Sequence, residues 1–198
     1  MWDIGDPKYP PSLIKTHFDY LKNNCGVSVI RTFAKAGDVN GMQKVLNIAS
    51  QTGIKIIIAI GDYSNGSPGL PKGADPNWYQ SGYKSIYKQK VINIVNAVKN
   101  HSHLYGLELA NEPHCGGGNQ NTITFYKNWG IDIGQILRQA TNNVGYGQMA
   151  FSNGICDSPI TGGFEVTNNI NQITMTSAHY YNAEEKQTAL QALKISKT

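Results

Sequence analysis

Short apolar runs alternate with longer amphipathic stretches along the whole chain. Five runs stand out, at 27–33 (VSVIRTF), 54–61 (IKIIIAIG), 104–110 (LYGLELA), 148–152 (QMAFS) and 173–179 (ITMTSAH). They are continuous in apolar character rather than alternating, as strands are when a parallel sheet is covered on both faces. Amphipathic patterns over 12–24, 38–52, 81–100, 121–140 and 183–195 predict helices between and after them. Ser12 and Asp38 are N-cap residue types at the first two helix starts. Tyr83, Tyr87, Val91, Ile94, Val95 and Val98 recur at helical spacing and mark the buried face of the third. Strand followed by helix, repeated, predicts right-handed βαβ units and hence an α/β domain.

An open doubly wound sheet and an eight-stranded barrel both satisfy that pattern. Neither GxGxxG nor GxxxxGK[ST] occurs, so a nucleotide-binding open sheet loses ground. A barrel places its chemistry at the carboxyl ends of its strands, and polar residues should then close each apolar run. Arg31 closes the first. Asp62 and Tyr63 follow the second, Asn111, Glu112 and His114 the third, Asn153 and Asp157 the fourth, and His179, Tyr180 and Tyr181 the fifth. The expected fold class is therefore a (β/α)8 TIM-barrel type, although an unrelated open α/β domain would also carry polar loops.

Composition narrows the classes of function. At 198 residues and 40% apolar the chain has material for one domain with a real core. Its 17 Lys and Arg against 13 Asp and Glu give a net charge of +4 with no basic cluster, so nucleic-acid binding is not expected. No apolar run is long enough for a membrane span, and residues 1–11, with two Asp and three Pro, do not resemble a signal peptide. Cys25, Cys115 and Cys156 lack CxxC spacing, and their odd number leaves at least one free thiol. A disulfide between Cys115 and Cys156 is conceivable because both follow adjacent strands. His101, His103, His114 and Cys115 match no structural zinc spacing, and His101 and His103 would lie before their strand, so no metal site is assigned.

Asn111-Glu112-Pro113 is the most informative triplet. A Glu at a barrel strand's end, beside an Asn able to bond a sugar hydroxyl, suits general acid/base work on a glycosidic bond. The plain alternative is a solvated loop carboxylate. GLELANEPHC at 106–115 resembles the acid/base segment of clan A glycoside hydrolases, especially family 5 cellulases and mannanases. VIRTFA at 29–34, IKIIIAIGDY at 54–63 and GGFEVTNNINQITMTSAHYYN at 162–182 fall in the same family order. The resemblance spans residues 27–182 and implies a hydrolase of β-linked polysaccharide, mannan or a cellulose-like glucan, that retains anomeric configuration through two carboxylates.

By that resemblance Glu112 would be the acid/base, Asn111 would bind the hydroxyl beside the cleaved bond, and Arg31 would orient the nucleophilic carboxylate. His179 and Tyr181 would line the catalytic subsite. Without the resemblance, Arg31 reads equally as a structural ion pair and His179 as a satisfied buried imidazole. Tyr63, Trp78, Tyr79 and Tyr180 are candidate stacking platforms for pyranose rings, with Trp78 preferred and His114 a further sugar contact. No cofactor is expected, because two carboxylates and water complete the chemistry. An extracellular setting is implied by the resemblance alone.

The five strands correspond to the second through sixth of the family's barrel, and no segment matches the first, seventh or eighth. A full barrel typically takes about 250 residues. The family's nucleophilic Glu closes the seventh strand, so no position here matches it. Glu108, Glu165, Glu184 and Glu185 each have an ordinary surface or helix-start explanation. The expectation is a single partial-barrel domain over 1–198, part of a longer enzyme and completed by the rest of that chain or by a second subunit. A non-catalytic carbohydrate-binding piece is the alternative.

Overall fold

The computed structural model describes residues 9–34, 38–61, 76–111, 120–149 and 170–179 of the chain. Helix α1 (Pro11–Cys25) starts at a proline, whose fixed φ suits the first helical position and whose missing N–H loses no bond there. Ser12, expected as its cap, lies inside the helix, and no side chain caps it. Strand β1 (Val29–Phe33) leads to α2 (Val39–Thr52), which Asp38 does cap: its carboxylate accepts the Gly41 N–H at 2.9 Å. Gly53 closes α2 with φ 71°, a left-handed conformation that glycine adopts without steric cost.

Strand β2 (Lys55–Ala59) is followed by a helical region that the sequence predicted as one piece over 81–100. A short helix outside that prediction, α3 (Pro76–Gln80), comes first, and the predicted stretch itself is two pieces, a 3-10 turn (Gly82–Lys84) and α4 (Ile86–Val98). The break has a packing cause. A Cβ at Gly82 would lie 3.1 Å from Trp78 Cδ1, so the turn folds its backbone onto that indole and carries Tyr83 inward. Tyr83, Tyr87, Val91, Ile94, Val95 and Val98 are all buried, as their spacing predicted. Strand β3 (Leu104–Asn111), α5 (Gln120–Leu137), β4 (Val144–Met149) and β5 (Met175–His179) complete the described elements. Strand β4 lies upstream of the predicted 148–152, because Gly145 and Gly147 interrupt the apolar run that would have announced it.

All five strands are parallel and pair in sequence order, β1-β2-β3-β4-β5. Ile56, Ile58, Ile60, Leu107, Leu109 and Val144 join the helices in one apolar core with Val45, Leu46, Val91, Ile94, Trp129 and Ile133. The opposite face carries a different set. One row runs straight across the sheet through Phe33, Ala59, Glu108, Gly145 and Met175, with Arg31, Ile57 and Gly106 in the row behind. Space on this face is made by glycine. A Cβ at Gly106 would lie 2.8 Å from the Asn143 carbonyl oxygen and 2.6 Å from Met175 Cε, and one at Gly145 would lie 3.0 Å from Glu108 Cγ.

Candidate active site

Arg31 on β1 and Glu108 on β3 are separated by the whole of β2, a span of about 9.6 Å at the usual strand spacing. Both side chains are long enough to meet above it. Arg31 donates to one carboxylate oxygen twice, from Nε at 2.8 Å and from Nη2 at 2.6 Å to Glu108 Oε2. Nη2 also donates to Asn111 Oδ1 at 2.9 Å, and the guanidinium lies over the Phe33 ring, 5.1 Å from its centroid. The pair is well removed from water, with side-chain exposures of 19% for Arg31 and 4% for Glu108. Removing one member of such a pair leaves the other charge buried and costs about 3–5 kcal/mol.

Glu108 and Asn111 are three residues apart, and simple strand alternation would send their side chains to opposite faces. The register explains how one guanidinium reaches both. Glu108 pairs with Gly145 and Asn111 with Gly147, so β3 advances three residues while β4 advances two. That extra residue is a β-bulge, which re-aims the side chain beyond it. The neighbouring strand accommodates it: Ile60 N–H donates to the Glu108 carbonyl at 3.0 Å, and Asn111 N–H to the Gly61 carbonyl at 2.6 Å. Tyr87, fully buried on α4, donates its hydroxyl at 2.6 Å to the carbonyl of Leu109 inside the irregular stretch.

Arg31 offers only donors, so its bond to Asn111 identifies the carbonyl end of that amide and fixes the NH2 group as the other end. The structure thus joins two residues expected at the site, Arg31 and Asn111, and adds a third. Glu108 was read as an ordinary carboxylate; it is instead 3% exposed and ion-paired. The signal was present in the sequence. A carboxylate inside a strand that is apolar on both faces needs a cation, and Arg31 occupies the equivalent part of a nearby strand. The reading of Arg31 as a structural ion pair is met, in addition to its contact with Asn111.

The remaining expectations divide in two groups. His179 ends β5, paired through its backbone with Met149, at the same carboxyl edge of the parallel sheet as Asn111. Glu112, Tyr63, His114, Tyr180, Tyr181, Cys115, Cys156, Glu165, Glu184 and Glu185 lie outside the described residues. Trp78 and Tyr79 need correction as stacking platforms. At 9% and 1% exposure they pack with Tyr83, Tyr87, Tyr126 and Trp129 in the helical layer, ring centroids 5.0–6.4 Å apart, so their faces are already covered. Among the described residues no three His, Cys, Asp or Glu gather closely enough to hold a metal ion, and no helix is long and apolar enough to cross a membrane. Cys25 is an exposed free thiol.

A parallel sheet wound with helices, its polar groups gathered near one strand edge, defines the (β/α)8-barrel class, of which five consecutive strands are described here. The chain belongs to the cellulase family, glycosyl hydrolase family 5, which it matches over residues 14–196. It is 31% identical over 148 residues to mannan endo-1,4-beta-mannosidase A of Podospora anserina, covering 70% of this chain and 37% of that enzyme. Two solved mannanases share the fold. The Rhizomucor miehei structure aligns with TM-score 0.62 at 16% identity, over 90% of this chain and 65% of its own. The Thermotoga petrophila structure aligns with TM-score 0.66 at 14% identity, over 87% and 50%.

Proposed function

We propose that this chain is the acid/base half of a retaining β-glycanase whose first substrate to test is β-1,4-mannan, with cellulose-like glucan second. In this reading Glu112 protonates the leaving glycosidic oxygen and later deprotonates the water that releases the sugar. Asn111 bonds the hydroxyl next to the cleaved bond through its NH2 group, and Arg31 supplies positive charge beside the reacting carboxylates. His179 and Tyr181 line the same subsite, and Tyr63, Tyr180 and His114 are left as the sugar-contacting candidates. The second carboxylate, at about 5–5.5 Å from the first in a retaining site, comes from outside the residues of this chain. The domain is accordingly one partial barrel, completed by further chain or by a second subunit.

The observation that carries the reading is the Arg31–Asn111 bond at the carboxyl end of the strands, immediately before Glu112, in a chain of this family. Mannan is placed first because the similar Podospora enzyme is a mannan endo-1,4-beta-mannosidase. The test is reducing-sugar release from mannan, carboxymethylcellulose and xyloglucan by this chain alone and by the barrel completed with its missing strands, with the mass in solution measured on the same samples. Release is expected from the completed barrel and not from the chain alone. In the completed, active barrel Glu112→Gln should lower turnover by about 10²–10⁴-fold, the usual contribution of a general acid/base. Turnover within a few-fold of the parent removes Glu112 from that role. Saturable binding of manno-oligosaccharides with no sugar released by the completed barrel would instead support the non-catalytic reading.

A further inference from the structure

Glu108 has no part in the two-carboxylate scheme, yet it is the most enclosed charged group among the described residues of the sheet. Its position is unusually constrained. Gly145 beneath it leaves just enough room for Cγ, Ala59 flanks it in the same row, and both Arg31 bonds converge on one oxygen, Oε2. The same Arg31 Nη2 that reaches this oxygen also holds Asn111 Oδ1. A guanidinium is planar and its donors are fixed relative to one another, so pinning Nε and Nη2 sets where Nη2 can meet the amide. The bulge between Glu108 and Asn111 brings both acceptors to that one group.

We infer that Glu108 is a positioning residue for the proposed hydrolysis: through Arg31 it fixes the Asn111 amide with its NH2 group as the donor presented at the strand end. The inference rests on the functional reading above only for its kinetic consequence, since the arrangement itself is independent of which glycan is cleaved. Two simple roles predict opposite results. If Glu108 only balances the Arg31 charge, a shorter carboxylate should serve and an amide should not. If it places an acceptor at one point, the amide should serve, because both bonds end on a single oxygen, and the shorter acid should not.

The experiment compares Glu108→Gln with Glu108→Asp, each also combined with Asn111→Ala, by kinetics on manno-oligosaccharides in the completed barrel and by amide resonances in the 15N-labelled protein. Glu108→Gln is expected to keep kcat/KM within about tenfold of the parent. Glu108→Asp withdraws the acceptor by one methylene and should lose about 100-fold, the scale of an ångström-sized misplacement. Adding Asn111→Ala to Glu108→Asp should cost little more, because both changes break one chain of contacts. The Asn111 side-chain amide resonances should shift in Glu108→Asp and stay near their parent positions in Glu108→Gln.

The reverse ranking, full additivity with Asn111→Ala, or unmoved amide resonances in a folded Glu108→Asp would each overturn the inference. If the completed barrel, with the second carboxylate present, cleaves no glycan, the functional reading fails by itself. The amide resonances then decide the positioning role: shifted in Glu108→Asp and kept in Glu108→Gln they uphold it, and any other pattern overturns it.

Discussion

Two buried clusters sit on the two faces of the same sheet. On the helical side Trp78, Tyr79, Tyr83, Tyr87, Tyr126 and Trp129 form a continuous group of rings, several of them edge-to-face. On the other side three residues, Arg31, Glu108 and Asn111, are joined by three hydrogen bonds. The ring cluster is redundant: each face-to-edge contact adds about 0.5–1.5 kcal/mol beyond burial, and most rings touch more than one other. The polar trio is built around one shared guanidinium. Each of its bonds depends on the others for direction, and loss of either charge strands its partner. Redundancy suits a scaffold, whereas directional bonds that meet at one guanidinium suit a site whose geometry matters more than its stabilising energy.

The difference is open to attack from the ring side. Trp129→Ala deletes the largest fully buried side chain among the described residues and should lower stability by about 3–5 kcal/mol. The surviving folded fraction, assayed well below its melting temperature, should keep the parent kcat/KM. Chemical denaturation together with low-temperature kinetics checks both halves, and a large kinetic defect in fully folded protein would show that the two faces are not separable.

Tyr87→Phe is a finer probe, because it keeps the ring and removes only the bond to the Leu109 carbonyl. The expected loss is about 1–3 kcal/mol, from a buried acceptor left without its partner. Unlike Trp129→Ala, it should also lower kcat/KM, since the carbonyl lies in the bulge that aims Asn111. A normal kcat/KM would confine Tyr87 to the scaffold.

The smallest effect is in alkali. Burial holds the Tyr87 hydroxyl above its ordinary value of 10.0, and burial together with the Asp132 carboxylate that accepts its hydrogen bond does the same for Tyr83. Both folded-state pKa values are raised, so the stability they contribute is whole below pH 10 and declines as pH rises beyond it, when the unfolded chain ionises first. Melting temperatures followed upward from pH 9 should fall through that window. The fall should be shallower in Tyr87→Phe than in the parent, whereas an equal slope would mean that Tyr87 does not carry the effect.

The sequence was clear where one physical signal dominated. Continuous apolar runs placed β1, β2, β3 and β5, Asp38 announced its helix through its capping oxygen, and the 3.6-residue spacing from Tyr83 to Val98 found a buried face. It was opaque where two signals cancelled. Gly145 and Gly147 hid β4, and the room that Gly145 leaves for Glu108 and Met175 is visible only once the strands are paired. Trp78 looked like an open platform because it precedes the helix expected over 81–100, and packing against Tyr87 and Trp129 covers the indole. At the site, Arg31 and Asn111 were found from strand-end position and family resemblance. Glu108 escaped because alternation along an unbroken strand would have turned Asn111 away from it. A bulge is not written in residue types.

The hydroxyl of Tyr87 on the Leu109 carbonyl carries a lesson for protein engineering. A campaign to raise heat tolerance would naturally repack the ring cluster and leave alone everything within reach of a bound glycan, on the assumption that the two layers evolve independently. One phenol crosses that boundary. If Tyr87→Phe lowers kcat/KM as expected, libraries that treat position 87 as filler would trade activity for robustness without any substitution near the proposed sugar site. Holding Tyr87 constant while its neighbours vary should let the two properties be improved separately.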